Sequence, residues 1–224
     1  MAELPFTDRV EAGKALGEEV LRFIGANAGD IVVLGLPRGG VPVAAQIARA
    51  LDAPLDVMIV RKLGVPGQEE FAMGALASGG VTVLNQPLIT QLGISDDDVQ
   101  RVTLSENYEL QRREAAYRGE RPYPDLHDRR VILVDDGIAT GASMSAAVQA
   151  LQKLGAREII IAVPLAPAET VAELEPQVDA LICLATPVPF SGVGRWYADF
   201  AQTSDEEVIG CLTHSSTVID NRNE

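Results

Sequence analysis

The residues with the clearest chemical potential are Val131-Ile132-Leu133-Val134-Asp135-Asp136-Gly137-Ile138-Ala139-Thr140-Gly141-Ala142-Ser143. Four aliphatic residues end in two adjacent carboxylates, and a turn of small and hydroxyl residues leads into a periodic apolar stretch. Carboxylates at a strand tip accept hydrogen bonds from vicinal hydroxyls such as those of a ribose. A turn of small residues opening a helix wraps a phosphate with backbone N–H groups. One loop thus offers a grip for both ends of a sugar phosphate. An ordinary strand and turn with solvated acids would read similarly, but adjacent acids at a buried strand's end are costly without a ligand or metal.

Three other segments carry chemistry. Gly35-Leu36-Pro37-Arg38-Gly39-Gly40 lets backbone amides approach a pyrophosphate, with Arg38 adding charge. It has neither the Lys-Ser/Thr of a Walker loop nor the GxGxxG spacing, and the same residues also make a plain turn. Arg61-Lys62 follows an apolar run and precedes a segment rich in glycine, Gly64, Gly67, Gly74, Gly79 and Gly80. Two cations at a strand tip would neutralise an anion, and the glycines would let a loop close over it. Glu69 and Glu70 there read as solvated. Residues 189–200 concentrate Phe190, Trp196, Tyr197 and Phe200 in an aromatic-poor chain. Phe190 or Trp196 would stack on a flat ring, and Asp199 is a weak metal candidate. A hydrophobic lid or a dimer contact is the competing explanation.

The 131–143 stretch resembles the 5-phosphoribosyl-1-pyrophosphate (PRPP) motif of the type I phosphoribosyltransferases. The resemblance implies that Asp135 and Asp136 hold the ribose hydroxyls directly or through a Mg2+-bound water. It implies that Gly137, Ala139, Thr140, Gly141, Ala142 and Ser143 surround the 5′-phosphate. Arg38, Gly39 and Gly40 resemble the family's pyrophosphate loop, and Val60-Arg61-Lys62-Leu63-Gly64 the arrangement in its orotate branch. Asp135, Asp136, Arg61 and Lys62 are therefore the expected catalytic residues. Residues 189–200 resemble the hood over the nucleobase. The hypoxanthine–guanine branch has an Asp where Ala139 stands, which argues against a 6-oxopurine acceptor. The implied reaction is phosphoribosyl transfer from Mg2+–PRPP to a nitrogenous base-like acceptor. A non-catalytic sensor of PRPP or a nucleotide is the alternative, and a hydrolase or phosphorylase of a ribose phosphate a third. Homodimers are common in that family.

The elements that must position these residues are legible as alternating patterns. Thr7 is a plausible cap for a helix presenting Val10, Leu16, Val20 and Ile24. Strands are expected at 31–36, 55–60, 131–134, 159–163 and 180–184, with a short one at 81–84. Helices are expected after Gly40, after Ser143 with Gly155 at its end, and near 168–175. Residues 61–80 read as irregular. A polar helix at 96–118 reads as solvated, and a last helix begins near Thr203 before a loose end, residues 221–224. This alternation predicts a doubly wound, mainly parallel α/β sheet flanked by helices. The whole is one domain over 1–224: a core at about 25–185, a helical insertion at about 86–124, and a hood with the C-terminal helix at about 186–220.

The chain has 224 residues and a formal charge of −14. That charge argues against nonspecific nucleic-acid binding, while a few local cations still serve an anionic substrate. Cys183 and Cys211 form no disulfide framework or zinc motif. Cys183 is expected in the core, and His127 and His214 at the surface. Neither a leader nor a membrane-spanning run is apparent, so the expected location is cytoplasmic.

Overall fold

The computed structural model describes the backbone of residues 4–25 and 29–220, and their side chains except those of Glu70 and residues 214–220. The expectations for 221–224 and for the His214 side chain lie outside the described residues. The centre is a five-stranded parallel sheet of β1 (Ile31–Gly35), β2 (Leu55–Val57), β6 (Arg130–Val134), β7 (Glu158–Leu165) and β8 (Ala180–Ala185). Its order is β2-β1-β6-β7-β8. Side chains alternate between faces, so each central strand feeds two cores. Ile31, Val33, Ile132, Val134 and Ile160 face one way, beneath α1 (Arg9–Ile24), α2 (Gly40–Leu51) and α7 (Asp205–Asp220). Val32, Leu34, Val131, Leu133 and Ile161 face the other, beneath α5 (Ala142–Lys153) and α6 (Ala168–Leu174). Burial on both faces explains the unbroken apolar runs. α5 buries Met144, Ala147, Val148 and Leu151 on one face, and Gly155, at φ +76°, lies just past its end as expected.

Residues 61–80 are not irregular. β3 (Val60–Val65), β4 (Gln68–Ala77) and β5 (Val81–Leu84) form a separate antiparallel sheet in the order β3-β4-β5. The glycines are compatible with strands because they sit where backbones crowd. A Cβ on Gly64 would lie 2.6 Å from the Glu69 carbonyl oxygen, beside an irregularity in the β3–β4 register. Gly67, at φ +76°, turns the hairpin. The expected strand at 55–60 therefore splits, with Met58 and Ile59 between β2 and β3. Arg61 and Lys62 lie within β3, not beyond a strand tip.

The second sheet has its own small core of Leu63, Val65, Met73, Leu76 and Ile89. Here Ile89 belongs to α3 (Gln86–Leu92), and Val99 and Val102 of α4 (Asp96–Arg118) pack alongside. The far end of α4 buries Leu110 and Tyr117 in the main core. The polar helix is thus a strut between two cores rather than a solvated surface helix. Its scarcity of apolar residues reflects a narrow contact at each end. The α1 cap also differs from expectation: Asp8, not Thr7, accepts from the Glu11 N–H at 2.8 Å. Cys183 is half-buried rather than in the core, because β8 is an edge strand. His127 is exposed. No helix among the described residues is long and apolar enough to cross a membrane.

Candidate active site

Strand order reverses between β1 and β6, and doubly wound sheets open a ligand crevice at such a point. Gly35 and Val134 are register partners, so the two following loops emerge level with each other. The Leu36 N–H donates to the Val134 carbonyl at 2.8 Å, and the Pro37–Arg38 peptide is cis. Gly39 and Gly40 then lie against the acid pair. A Cβ on Gly39 would stand 2.0 Å from Asp136 Oδ2, and one on Gly40 2.8 Å from Asp135 Cα. Only glycine permits this approach.

The two carboxylates sit in unfavourable surroundings for charge. Burial, and then the charge of Asp136, push the Asp135 carboxyl well above the usual carboxylate range. The Asp136 N–H donates to Asp135 Oδ1 at 2.8 Å and offsets part of this. Burial also raises Asp136, opposed by Arg9, whose Nε donates to Asp136 Oδ2 at 2.7 Å. The Tyr197 hydroxyl donates to the Asp136 carbonyl at 2.6 Å.

The helix ends around the crevice differ from those elsewhere. α1, α3 and α4 are capped by the side chains of Asp8, Asn85 and Ser95. α2 and α5 begin on Gly39 and Gly141, without a side-chain cap and without an acid in the first turn. The positive dipole ends of both helices face the crevice loops without an acid. The first N–H groups of α5 are left for an external anion, whereas those of Gly40 and Val41 in α2 donate to the Leu36 and Arg38 carbonyls. Gly141 has φ +75°. The loop before it is braced where the Thr170 hydroxyl donates to the Ala139 carbonyl at 3.0 Å. Ala139, Thr140, Ala142 and Ser143 are exposed. Gly137 is buried, and a Cβ there would meet Val193 at 2.7 Å.

The two cations of β3 both border a cavity against α4, but they reach different further partners. Lys62 lines a cavity of about 530 Å³ with Asn85, Ala142, Ser143 and Gln149. Arg61 instead meets α4, its Nη2 lying 2.6 Å from Glu106 Oε2. Arg38 reaches toward α7, with its Nη1 3.7 Å from Asp205 Oδ1. Phe190 and Trp196 pack on a small cluster of Phe6, Ala12, Leu165 and Tyr197. The Trp196 Nε1 is buried without a hydrogen-bond partner. Residues 196–199 are tied to the N-terminal segment. The Phe6 N–H donates to Trp196 O at 2.9 Å, and the Asp199 N–H to Thr7 O at 2.8 Å. The exposed Asp199 carboxylate accepts from the Ala201 N–H. Among the described residues, no three His, Cys, Asp or Glu are grouped to hold a metal.

The sequence pattern described as a phosphoribosyl transferase domain matches residues 8–188, which include both crevice loops. The chain belongs to this family. Two Mycobacterium tuberculosis proteins named "Putative phosphoribosyl transferase" are 44% identical to it over 207 residues, 92% of this chain. The chain spans 46% of each, somewhat under half the length of these relatives. The crystal structure of TT1426 from Thermus thermophilus superposes with a TM-score of 0.82 at 41% identity. That match covers 93% of this chain and 98% of TT1426. The Aquifex aeolicus protein AQ2163 shares the fold, with a TM-score of 0.50 at 13% identity over 86% of each chain.

On this phosphoribosyl transferase fold the structure brings Gly39, Gly40, Asp135 and Asp136 into one crevice, and Lys62 alongside Ala142 and Ser143. It turns Arg61 toward α4 and sets Phe190 and Trp196 against the protein's own aromatic cluster. Arg9 and Tyr197 escaped the sequence reading as site residues. Arg9 stands 127 positions from Asp136, on a helix that carries no motif. Tyr197 lay inside the aromatic segment, but nothing local pointed its hydroxyl at the acid loop.

Proposed function

We propose that the chain transfers the 5-phosphoribosyl group from Mg2+–PRPP to a nitrogen of a base-like acceptor and releases pyrophosphate. The observation carrying this reading is that α2 and α5, alone among the longer helices with a described start, open uncapped and acid-free beside an acid pair. The carboxylates suit a diol and the helix ends suit phosphates, so the arrangement fits a phosphorylated ribose better than a nucleobase or peptide. Asp135 and Asp136 supply hard oxygen ligands of the type Mg2+ uses with substrate phosphates, and the bound ion would neutralise pyrophosphate as it leaves.

The bond from C1 of the ribose to the pyrophosphate oxygen breaks and one from C1 to the acceptor nitrogen forms. Positive charge develops on the ring between these events. Asp135 and Asp136 would orient the diol and favour that charge. The loop at Gly39 and Gly40 would admit the departing anion against its backbone, assisted by Arg38, Arg61 and Lys62. The 139–143 turn would anchor the 5′-phosphate, so that most of the rate gain comes from positioning. With Ala139 at the turn, no carboxylate is present there for a 6-oxopurine.

Calorimetric titration of PRPP with and without Mg2+, followed by pyrophosphate release over a panel of nitrogenous acceptors, tests this. Mg2+-dependent binding that Asp135→Asn with Asp136→Asn weakens at least 100-fold is expected, with acceptor-dependent release. Binding without release under any acceptor would make the protein a sensor, and release without an acceptor a hydrolase. Unchanged PRPP affinity in the double variant would remove the assignment.

A further inference from the structure

The guanidinium of Arg9 meets three parts of the molecule at once. Its Nε donates to Asp136 Oδ2 at 2.7 Å, and its Nη1 to the Ala201 carbonyl at 2.7 Å. Its Cζ lies over the Phe200 ring, 4.0 Å from the centroid. The Gly39 loop approaches as well, a Cβ there falling 3.2 Å from Arg9 Nε. Only 12% of the Arg9 side chain is exposed, and 13% of that of Asp136. Phe200 in turn stacks on Tyr197 at 5.1 Å, and the Tyr197 hydroxyl reaches back to the Asp136 carbonyl. A closed ring of contacts therefore runs from Asp136 through Arg9, the 197–201 segment and back to Asp136.

We propose that Arg9 is a positioning residue for the proposed reaction. It holds Asp136 Oδ2 so that the other oxygen is presented to the sugar diol, and it locks the 197–201 segment to the acid pair. The inference rests on the assignment of the crevice to a phosphoribosyl ligand. A surface salt bridge would contribute little. This pair is buried and oriented by two further contacts, and arginine's planar fork makes all of them together. A lysine could keep the charge but would lose the carbonyl contact and the ring stacking.

The test compares Arg9→Ala, Arg9→Lys and Asp136→Asn, singly and as Arg9→Ala with Asp136→Asn. Three quantities are read: PRPP affinity, kcat against KM, and hydrogen exchange of the 197–201 backbone. Arg9→Ala is expected to weaken PRPP about 10-fold, to lower kcat, and to speed exchange across 197–201. Arg9→Lys recovers part of the PRPP affinity but not the slow exchange. The double variant loses less than the product of the single effects. If Arg9→Ala lowers only thermal stability, with affinity and kcat as in the parent, the positioning role is wrong. If Arg9→Ala does not fold, Arg9→Lys decides alone: full parental affinity and exchange would overturn the proposal. Should the parent chain not bind PRPP, the functional reading fails separately. The coupling of Arg9 to Asp136 and to 197–201 is still decided then, by exchange and by the double-variant cycle on thermal stability.

Discussion

Two of the ion pairs on motif charges live in different surroundings. In the crevice an anion of the motif, Asp136, takes a cation from α1, with side chains 12% and 13% exposed. At the second sheet a cation, Arg61, takes an anion from α4, with both side chains 26% exposed. The crevice is built from strands buried on both faces and glycines in steric contact with carboxylates. The second sheet has a small core and a hairpin turned by Gly67. The first region is built to hold one geometry, and the second can exchange partners at modest cost.

Glycine substitution should expose this difference most strongly. Gly39→Ala places a Cβ 2.0 Å from Asp136 Oδ2, so the carboxylate or the loop must move. We expect a loss of about 1–3 kcal/mol in stability and of PRPP binding beyond detection. Gly67→Ala meets no atom within 4 Å but must adopt φ +76°. It should cost about 1–2 kcal/mol from backbone strain and leave PRPP affinity within twofold. Thermal melts and calorimetry on both variants decide. Equal losses of affinity would mean that the crevice is no more constrained than the hairpin.

Next in size is the exchange of partners at Arg61. Glu106→Gln should change stability by no more than about 1 kcal/mol, since the pair is partly exposed. If Arg61 serves the leaving pyrophosphate, freeing it should lower the KM for PRPP two- to fivefold, while Arg61→Ala lowers kcat. A KM unchanged in both variants would make the pair a structural tie between β3 and α4, and would leave Lys62 as the β3 cation at the site.

This contrast also explains what could be read from the sequence. The parallel sheet announced itself because two-sided burial writes continuous runs such as Ile31–Leu36 and Val131–Val134. The acid pair and the small-residue turn were legible because their chemistry is local. The second sheet was not. Its glycines reflect close backbone approaches, as at Gly64 and Glu69, and in sequence such glycines resemble those of a loop. The α4 strut was missed because two short contacts, at Val99–Val102 and Leu110–Tyr117, write no continuous stripe. Arg9 and Tyr197 were missed for another reason. Their partners are set by topology, and no local pattern records which distant side chain will reach a motif.

The smallest effect separates the two regions by the sign of their pH dependence. Burial raises the Asp135 carboxyl, so in Mg2+-free buffer its contribution to stability is greatest below the unfolded carboxylate value, near 4, and falls as pH rises through the folded value. Glu109 on α4 behaves oppositely. Hydrogen bonds from Arg112 and Arg113 lower it to about 2, so its contribution is present above its ordinary value of 4.5 and is lost as pH falls toward 2. Asp135→Asn should therefore match the parent in melting temperature near pH 4 and gain on it progressively toward pH 7. Glu109→Gln should melt slightly below the parent at neutral pH, with the gap closing below pH 4.5 and shrinking in high salt, because the site is exposed. Melting curves of the three proteins from pH 3 to 8 would show two windows of opposite slope. If the difference between Asp135→Asn and the parent stayed constant across the range, burial would not be what raises Asp135, and the crevice would not differ electrostatically from the exposed face of α4.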